Sequence, residues 1–198
     1  MELVEAFVRL GADVNARFKC QKSAADGPTD WHHPSLSPLD LAANLHFPRI
    51  VDLLLDHGSE VCGGDWYWSH SPLHMIGYNA LTFARYMAHG RDYRAALRAT
   101  IRTLLDRGLD RGLGINVLDS AGQTPLYRAV KNIDLEPYIL EELLAVGAKP
   151  GAQCEKQEGN IVCSAIVCCT QRRDSSWKVP LLLPMVPDIN ACVFGDRG

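Results

Sequence analysis

The sequence lacks the features that mark several classes of protein. Its 198 residues contain no apolar run near the roughly 20 residues that a membrane-spanning helix needs. The first residues do not combine a basic segment with an apolar one, so no secretory signal is expected. The net charge is only −3, which argues against nonspecific nucleic-acid binding as the main task. We therefore expect an intracellular protein, cytoplasmic or nuclear, with no membrane span and no nucleic-acid partner.

Recognisable catalytic and cofactor motifs are also missing. No serine, cysteine or lysine nucleophile lies in a known catalytic context, and there is no glycine-rich phosphate loop. The seven cysteines are an odd number, which argues against a complete disulfide framework. Four of them cluster near the C-terminus without the paired spacing that zinc sites favour: Cys154, Cys163, Cys168 and Cys169. The sequence predicts no enzyme activity, cofactor or metal, and gives these cysteines a packing role, with metal or redox chemistry as the alternative.

The histidines provide the main competing hypothesis. Four of them fall in two short stretches that also contain aspartates: His32, His33, His70 and His74. Structural or solvated histidines are the simpler interpretation. A metal-dependent or enzyme-associated module centred on these four side chains stays open as an alternative. A fragment without independent activity is a third possibility.

One tetrapeptide pattern occurs three times: SPLD from residue 37, SPLH from residue 71 and TPLY from residue 124. Serine and threonine are favoured helix N-caps, because the hydroxyl accepts a backbone N–H of the first turn. Proline suits the next position, where its missing N–H leaves no bond unmade, and leucine then begins the buried face. Each tetrapeptide therefore predicts a helix start, and their recurrence indicates a stacked repeat.

Residues 37–61 form the best-preserved unit. Ala42 and Ala43 are small, so a neighbouring helix can approach closely. Pro48 cannot continue a helix without losing a backbone hydrogen bond, so it separates two helices. A leucine-rich segment follows, and Gly58 is predicted as the residue just past its end. These residues therefore predict a helix–turn–helix unit.

This unit resembles an ankyrin repeat, whose signature is TPLHxAAxxGHxxVVxLLLxxGADVN, and the GADVN of residues 11–15 matches the end of another. The resemblance implies an all-α, ankyrin-type helix–turn–helix solenoid with hairpin-like connecting loops and an enlarged third repeat. It also suggests a fragment of a longer array. The implied single domain, residues 1–198, divides into a partial first repeat (1–16), a second (37–61), a third with a helical insertion (71–117), a fourth (124–150) and a degenerate fifth (160–191).

The third repeat departs most from the family pattern. Its closing LLDRG, at residues 104–108, comes late, after a segment of helical character. Tyr93, Leu97 and Ile101 are spaced by four, so we expect the insertion to lengthen the helices of this repeat. A second insertion, of about four residues, is expected around residues 111–114.

Ankyrin proteins bind partners through hairpin tips and the exposed side of their first helices. The resemblance thus implies a non-enzymatic protein–protein interaction scaffold, monomeric as part of a longer chain, that presents a concave groove to another protein. A helix face that is merely solvated is the alternative at each position. The matching positions are Leu41, Asn44, Leu45, Met75, Tyr78, Asn79, Arg128, Lys131 and Asn132.

Two further surfaces are candidates for partner binding. Trp66, Tyr67 and Trp68 are consecutive in a loop, so they cannot all bury on one surface. Trp31 lies in the preceding long loop, and exposed tryptophan and tyrosine are common interface anchors. Equally, these aromatics could cover the insertion of the same repeat. A basic stripe could meet an acidic partner or be a solvated face: Arg94, Arg98 and Arg102.

Overall fold

The computed structural model of the protein describes residues 2–17, 36–62, 70–77, 92–132, 137–149 and 178–182. Every element longer than a single bridge residue in these ranges is helical, as the all-α prediction requires. None of these helices is long and apolar enough to span a membrane. They are α1 (Glu2–Arg9), α2 (Pro38–Asn44), α3 (Pro48–Asp56), α4 (Pro72–Met75), α5 (Tyr93–Gly108), α6 (Pro125–Lys131), α7 (Pro137–Ala145) and α8 (Lys178–Leu182), with a 3-10 turn at Leu109–Arg111.

The three tetrapeptides start α2, α4 and α6, as predicted. The Ser37 hydroxyl accepts the N–H of Asp40 at 3.1 Å, and the Thr124 hydroxyl accepts the N–H of Tyr127 at 3.2 Å. Ser71 has the same extended backbone before α4, and a proline follows each of the three residues. Because these signals act within one helical turn, they can be recognised from the sequence alone.

A common turn ends the second helix of each pair. Gly11, Gly58, Gly112 and Gly147 all have φ between 80° and 93°, a left-handed conformation that favours glycine. The N–H of Gly58 donates to the carbonyl of Leu55 at 3.2 Å, and the next N–H donates to Leu54 at 2.9 Å. The other three glycines have the same pair of bonds, which defines a Schellman motif.

The turn from α2 to α3 is a variant of that motif without glycine. The N–H of His46 donates to Ala43, and the N–H of Phe47 donates to Ala42. His46 takes the left-handed conformation, with φ of 59°, at the position where the ankyrin signature has glycine. The change of residue therefore leaves the turn geometry in place.

The helices form two rows joined in pairs. α2, α4 and α6 contact one another in that order, and so do α3, α5 and α7. Across the rows, α2 packs on α3, α4 on α5 and α6 on α7. One continuous apolar core fills the space between the rows; it includes Leu39, Val51, Leu73, Ile101, Leu126 and Leu140.

The helix α5 is the longest of the described helices. It runs over sixteen residues from Tyr93 to Gly108, whereas α4, which was also expected to be lengthened, has four. The 3-10 turn then continues the helix for three more residues before Gly112 ends it. Leu113 packs back on Gly108, where a Cβ would lie 2.6 Å from the leucine side chain. Residues 109–112 thus add one compact turn to the end of α5.

Candidate interaction surface

Two asparagine side chains hold the short helix α4 between its neighbours. Asn44 at the end of α2 donates from Nδ2 to the carbonyl of Met75 at 2.7 Å. Asn132, after α6, donates from Nδ2 to the carbonyl of Gly77 at the same distance. The last carbonyls of a helix have no partner within it, so these two amides satisfy the end of α4 from both sides. Asn44 and Met75 are 2% and 0% exposed, so neither offers surface to a partner.

The remaining described positions on this row keep some exposure. Leu41 and Leu45 on α2 are half-buried, and Lys131 on α6 is exposed with its ammonium 5.4 Å from the centre of the Tyr127 ring. Because α4 lies between α2 and α6, the apolar pair and the lysine are at opposite ends of the row. The described part of this row is therefore apolar at the α2 end and basic at the α6 end.

Arg128 is fixed by an ion pair inside the protein. Its Nε lies 2.7 Å from Asp119 Oδ2 in an ion pair, and the Asp119 side chain is buried. The other oxygen of Asp119 accepts the N–H groups of Ala121 and Gln123 at 2.9 and 2.8 Å. Arg128 thus stabilises the turn before α6, and only part of its guanidinium faces outward.

His74 connects α4 to that turn. Its Nδ1 lies 3.1 Å from the backbone N–H of Ser71 and accepts it, while its Nε2 lies 2.9 Å from the Gln123 carbonyl and donates to it. Backbone groups have fixed donor and acceptor roles, so the ring is the neutral tautomer with its proton on Nε2. Burial lowers the pKa of His74 to about 4. Both nitrogens are occupied, so this ring is not available to a metal.

Asp40 takes the place of His74 in the preceding pair of helices. Its Oδ2 accepts both the N–H and the hydroxyl of Ser37 at 2.9 Å, which completes a capping box. His70 Nε2 lies 3.4 Å from the same carboxylate oxygen, and an Arg17 nitrogen lies 3.8 Å from it. Of the four histidines singled out in the sequence, His70 and His74 are therefore near Asp40 and Asp119, whereas His32 and His33 lie outside the described residues.

The basic stripe on α5 is largely engaged with α7. Arg94 contacts Glu141 at 2.7 Å and Glu142 at 3.0 Å, and Arg98 contacts Glu142 at 2.6 Å. The hydrogen bond from Arg98, with a further one from Arg94, lowers the pKa of Glu142 to about 2. Within the described part of the chain Arg102 makes no ion pair and is exposed. Two of the three arginines thus join two helices of the protein itself.

The polar contacts between α3 and α5 were not predicted from the sequence. Arg107 forms ion pairs with Asp52 at 3.1 Å and with Asp56, which lie one turn apart on α3. Arg111, in the 3-10 turn, donates to the carbonyls of Ser59 and Leu55 at 3.0 and 3.3 Å, at the end of α3. The four-residue spacing of Asp52 and Asp56, which places both on one face of α3, was the sequence signal for this contact. A shallow cleft of about 310 Å³ lies beside this contact, lined by Pro48, Arg49, Asp52, Thr103, Asp106 and Arg107.

Another contact that was not predicted from the sequence occurs twice, each time between two glycine turns. The Asn15 side chain receives the N–H of Glu60 at 2.9 Å and donates to the Gly58 carbonyl at 3.4 Å. Asn116 receives the N–H of Lys149 at 2.8 Å and donates to the Gly147 carbonyl at 3.4 Å. Each asparagine therefore ties the segment after one second helix to the next such turn along the row.

Helix α1 carries large exposed apolar side chains and has no buried residue. Leu3, Phe7 and Leu10 are 68%, 56% and 84% exposed. Counted back from the glycine turn, Phe7 corresponds to Leu54 of α3, which is 2% exposed where α2 packs on α3.

Several predicted partner-binding residues lie outside the described residues, so their prediction stands as made. They are Trp31, Trp66, Tyr67, Trp68, Tyr78 and Asn79.

Comparisons with known proteins give no assignment. A scan against protein-family models finds no match to this chain, and no curated protein matches it. Over the ranges that the structure describes, no group of three His, Cys, Asp or Glu side chains is placed to hold a metal ion. The site must therefore be interpreted from its own geometry.

Proposed function

We propose that this chain is a divergent ankyrin-type solenoid that acts as a non-enzymatic, intracellular scaffold for protein–protein interaction. The observation that carries the proposal is the recurrence of equivalent contacts. The N-caps that begin α2 and α6, the glycine turns and the asparagine bridges repeat with the same hydrogen-bonding roles. Such recurrence is typical of repeat proteins, in which each unit packs on its neighbours.

The proposed mechanism is rigid presentation of side chains. Asn44, Asn132 and His74 fix the row of first helices from inside, so a partner would meet a preorganised surface and little ordering entropy would oppose binding. The described part of that surface contains Leu41 and Leu45 at one end and Lys131 at the other. A partner with an apolar segment and an acidic group would suit these positions.

The metal-dependent alternative requires the histidine region to bind an ion. His74 argues against it, because its ring nitrogens contact Ser71 and Gln123. Metal analysis of the purified protein tests this alternative directly, and stoichiometric zinc or iron would favour it over a pure scaffold.

The scaffold proposal is tested by comparing the proteins that purified variants retain. Leu41→Ser combined with Lys131→Glu changes the row of first helices, and Arg49→Glu on α3 is the control, because it makes the same charge change on the other row. At least one protein retained by the wild type and by the control should be lost with the double variant. That protein, once purified, should bind the wild type in calorimetry and bind the double variant at least tenfold more weakly. Identical retention by all three would contradict the proposed surface.

A further inference from the structure

The three tetrapeptides differ in one chemically important position. Asp40, His74 and Tyr127 occupy it, and all three are buried. Among these side-chain types only an imidazole ordinarily titrates between pH 5 and 8. The helix α4 is also the shortest of the row, with four residues, and its C-terminal end is held by asparagine side chains from both neighbours.

The hydrogen bonds of His74 favour the neutral ring. Nδ1 accepts the Ser71 N–H at 3.1 Å and lies 2.9 Å from the Ser71 hydroxyl, so a second proton on the ring would place Nδ1–H against the backbone N–H. The ring is also 1% exposed, where a net charge is strongly disfavoured. A protonated ring would therefore have to move towards water, and this movement would break its bond to the Gln123 carbonyl as well.

The charges around His74 do not remove this penalty. Asp119, in the turn before α6, favours the charged ring, whereas Arg128 on α6 and His70 before α4 oppose it. Asp40 on α2 lies near His70, 3.4 Å from Nε2, and is committed to Ser37. The buried side chains of α5 carry no titratable group: Leu97, Thr100, Ile101 and Leu104.

We propose that His74 is an acid-sensitive lock: when its ring takes up a proton, α4 separates from the Gln123 turn, while the contacts of α2 with α3 and of α6 with α7 stay closed. Acid would thereby loosen one defined junction of the molecule. The proposal does not depend on the scaffold function, because it concerns only the contacts of α4.

Hydrogen exchange at individual backbone amides tests the lock. From the ordinary histidine pKa of 6.5 and a folded value of about 4, opening at pH 5.0 should be about 20-fold more favourable than at pH 7.0. This rise is expected at the amides of His74 and Ile76, which bond to Ser71 and Leu73. The amide of Val51, which bonds to Phe47 at the start of α3, should change less than about threefold.

Two variants separate the lock from general acid sensitivity. His74→Gln carries no titrating ring, so the acid-induced rise at Ile76 should disappear. His57→Gln is the matched control, because His57 is exposed just after α3, and the rise should persist. An unchanged rise in His74→Gln would overturn the proposal.

If His74→Gln does not fold, measurements on the wild-type protein alone still test the lock. Ring ¹⁵N shifts of His74 should show the neutral form with the proton on Nε2 at pH 7.5, and charging should accompany faster exchange at Ile76. A charged ring at pH 5.0 with unchanged exchange would refute the lock, and so would an equal rise at Val51 and Ile76.

Discussion

At the scale of single residues, the absence of a side chain decides how closely two helices approach. A Cβ at Gly77 would lie 2.6 Å from the Cβ of Ala129 and 2.8 Å from its Cα. The α4 segment and α6 therefore meet through a glycine and an alanine, and the Asn132 amide reaches the Gly77 carbonyl in the same place. A larger residue at 77 must push the two helices apart.

We expect Gly77→Ala to destabilise the protein by about 1–3 kcal/mol, because backbone atoms of α6 cannot move aside as a flexible side chain can. The free energy of unfolding in urea measures this loss. Gly114→Ala is the control, since nothing lies within 4 Å of its added Cβ and its φ is not positive. Its stability should stay within about 0.5 kcal/mol of the wild type or rise slightly. Equal effects of the two changes would show that close packing at Gly77 is not the cause.

Sequence reasoning succeeded at this scale where the cause is local. The N-caps and the end of α3 at Gly58 follow from residues within one turn. It also placed Asn44 and Met75 on a partner-binding face, although both are buried. Whether a helix position is covered depends on the neighbouring helix, and the residue types of one segment do not contain that information.

At the scale of elements, α5 and α7 are joined by charge. Four-residue spacing on a helix places Arg94 and Arg98 on one face, and this could be read from the sequence. Their partners Glu141 and Glu142 lie more than 40 positions further along the chain, on another helix. Tyr93 and Tyr138 add a ring contact between the same two helices, with centroids 4.7 Å apart.

The ion pairs predict a specific loss of stability in acid. The folded pKa of Glu142 is about 2, below its ordinary value of 4.5. Since the unfolded chain binds the proton more readily, the stabilisation is present above pH 4.5 and is lost as the pH falls from 4.5 towards 2. Glu142→Gln should therefore be less stable than the wild type at pH 7. Between pH 5 and pH 3 its free energy of unfolding should fall less than that of the wild type. Urea unfolding at these pH values measures both effects.

Glu141→Gln provides the matched control for this experiment. Glu141 contacts Arg94 as well, but its side chain is 40% exposed, and such pairs contribute little in water. The stability of Glu141→Gln should therefore change with pH as that of the wild type does. If the stabilities of Glu141→Gln and Glu142→Gln depend on pH in the same way, burial of Glu142 is not the cause of the acid-dependent loss.

At the scale of the whole molecule, each described pair of helices contacts its neighbours in the rows, and α2 and α6 are separated by α4. Interaction energies should accordingly be carried by adjacent elements, as in a one-dimensional array. The Asn15 side chain bonds the segment after α1 to the end of α3, whereas the Asn132 side chain bonds the Gly77 carbonyl between α4 and α6.

Double variants should reveal this separation. Gly77→Ala and Asn15→Ala should add to within about 0.5 kcal/mol, because they change different junctions. Gly77→Ala and Asn132→Ala should deviate from additivity by more than about 0.5 kcal/mol, since the Asn132 amide bonds the Gly77 carbonyl. Unfolding free energies of the single and double variants provide both comparisons. Coupling of equal size in the two pairs would contradict the nearest-neighbour description.

The sequence by itself determined the local features of this protein: helix starts after Ser37, Ser71 and Thr124, a glycine end after α3, and an all-α class. These depend on backbone sterics and on hydrogen bonds within a few residues. Only the tertiary structure decided which polar side chains face a partner helix. Asn44 became a buried connection, and Arg94 and Arg98 formed ion pairs with α7, because those contacts join residues distant in sequence.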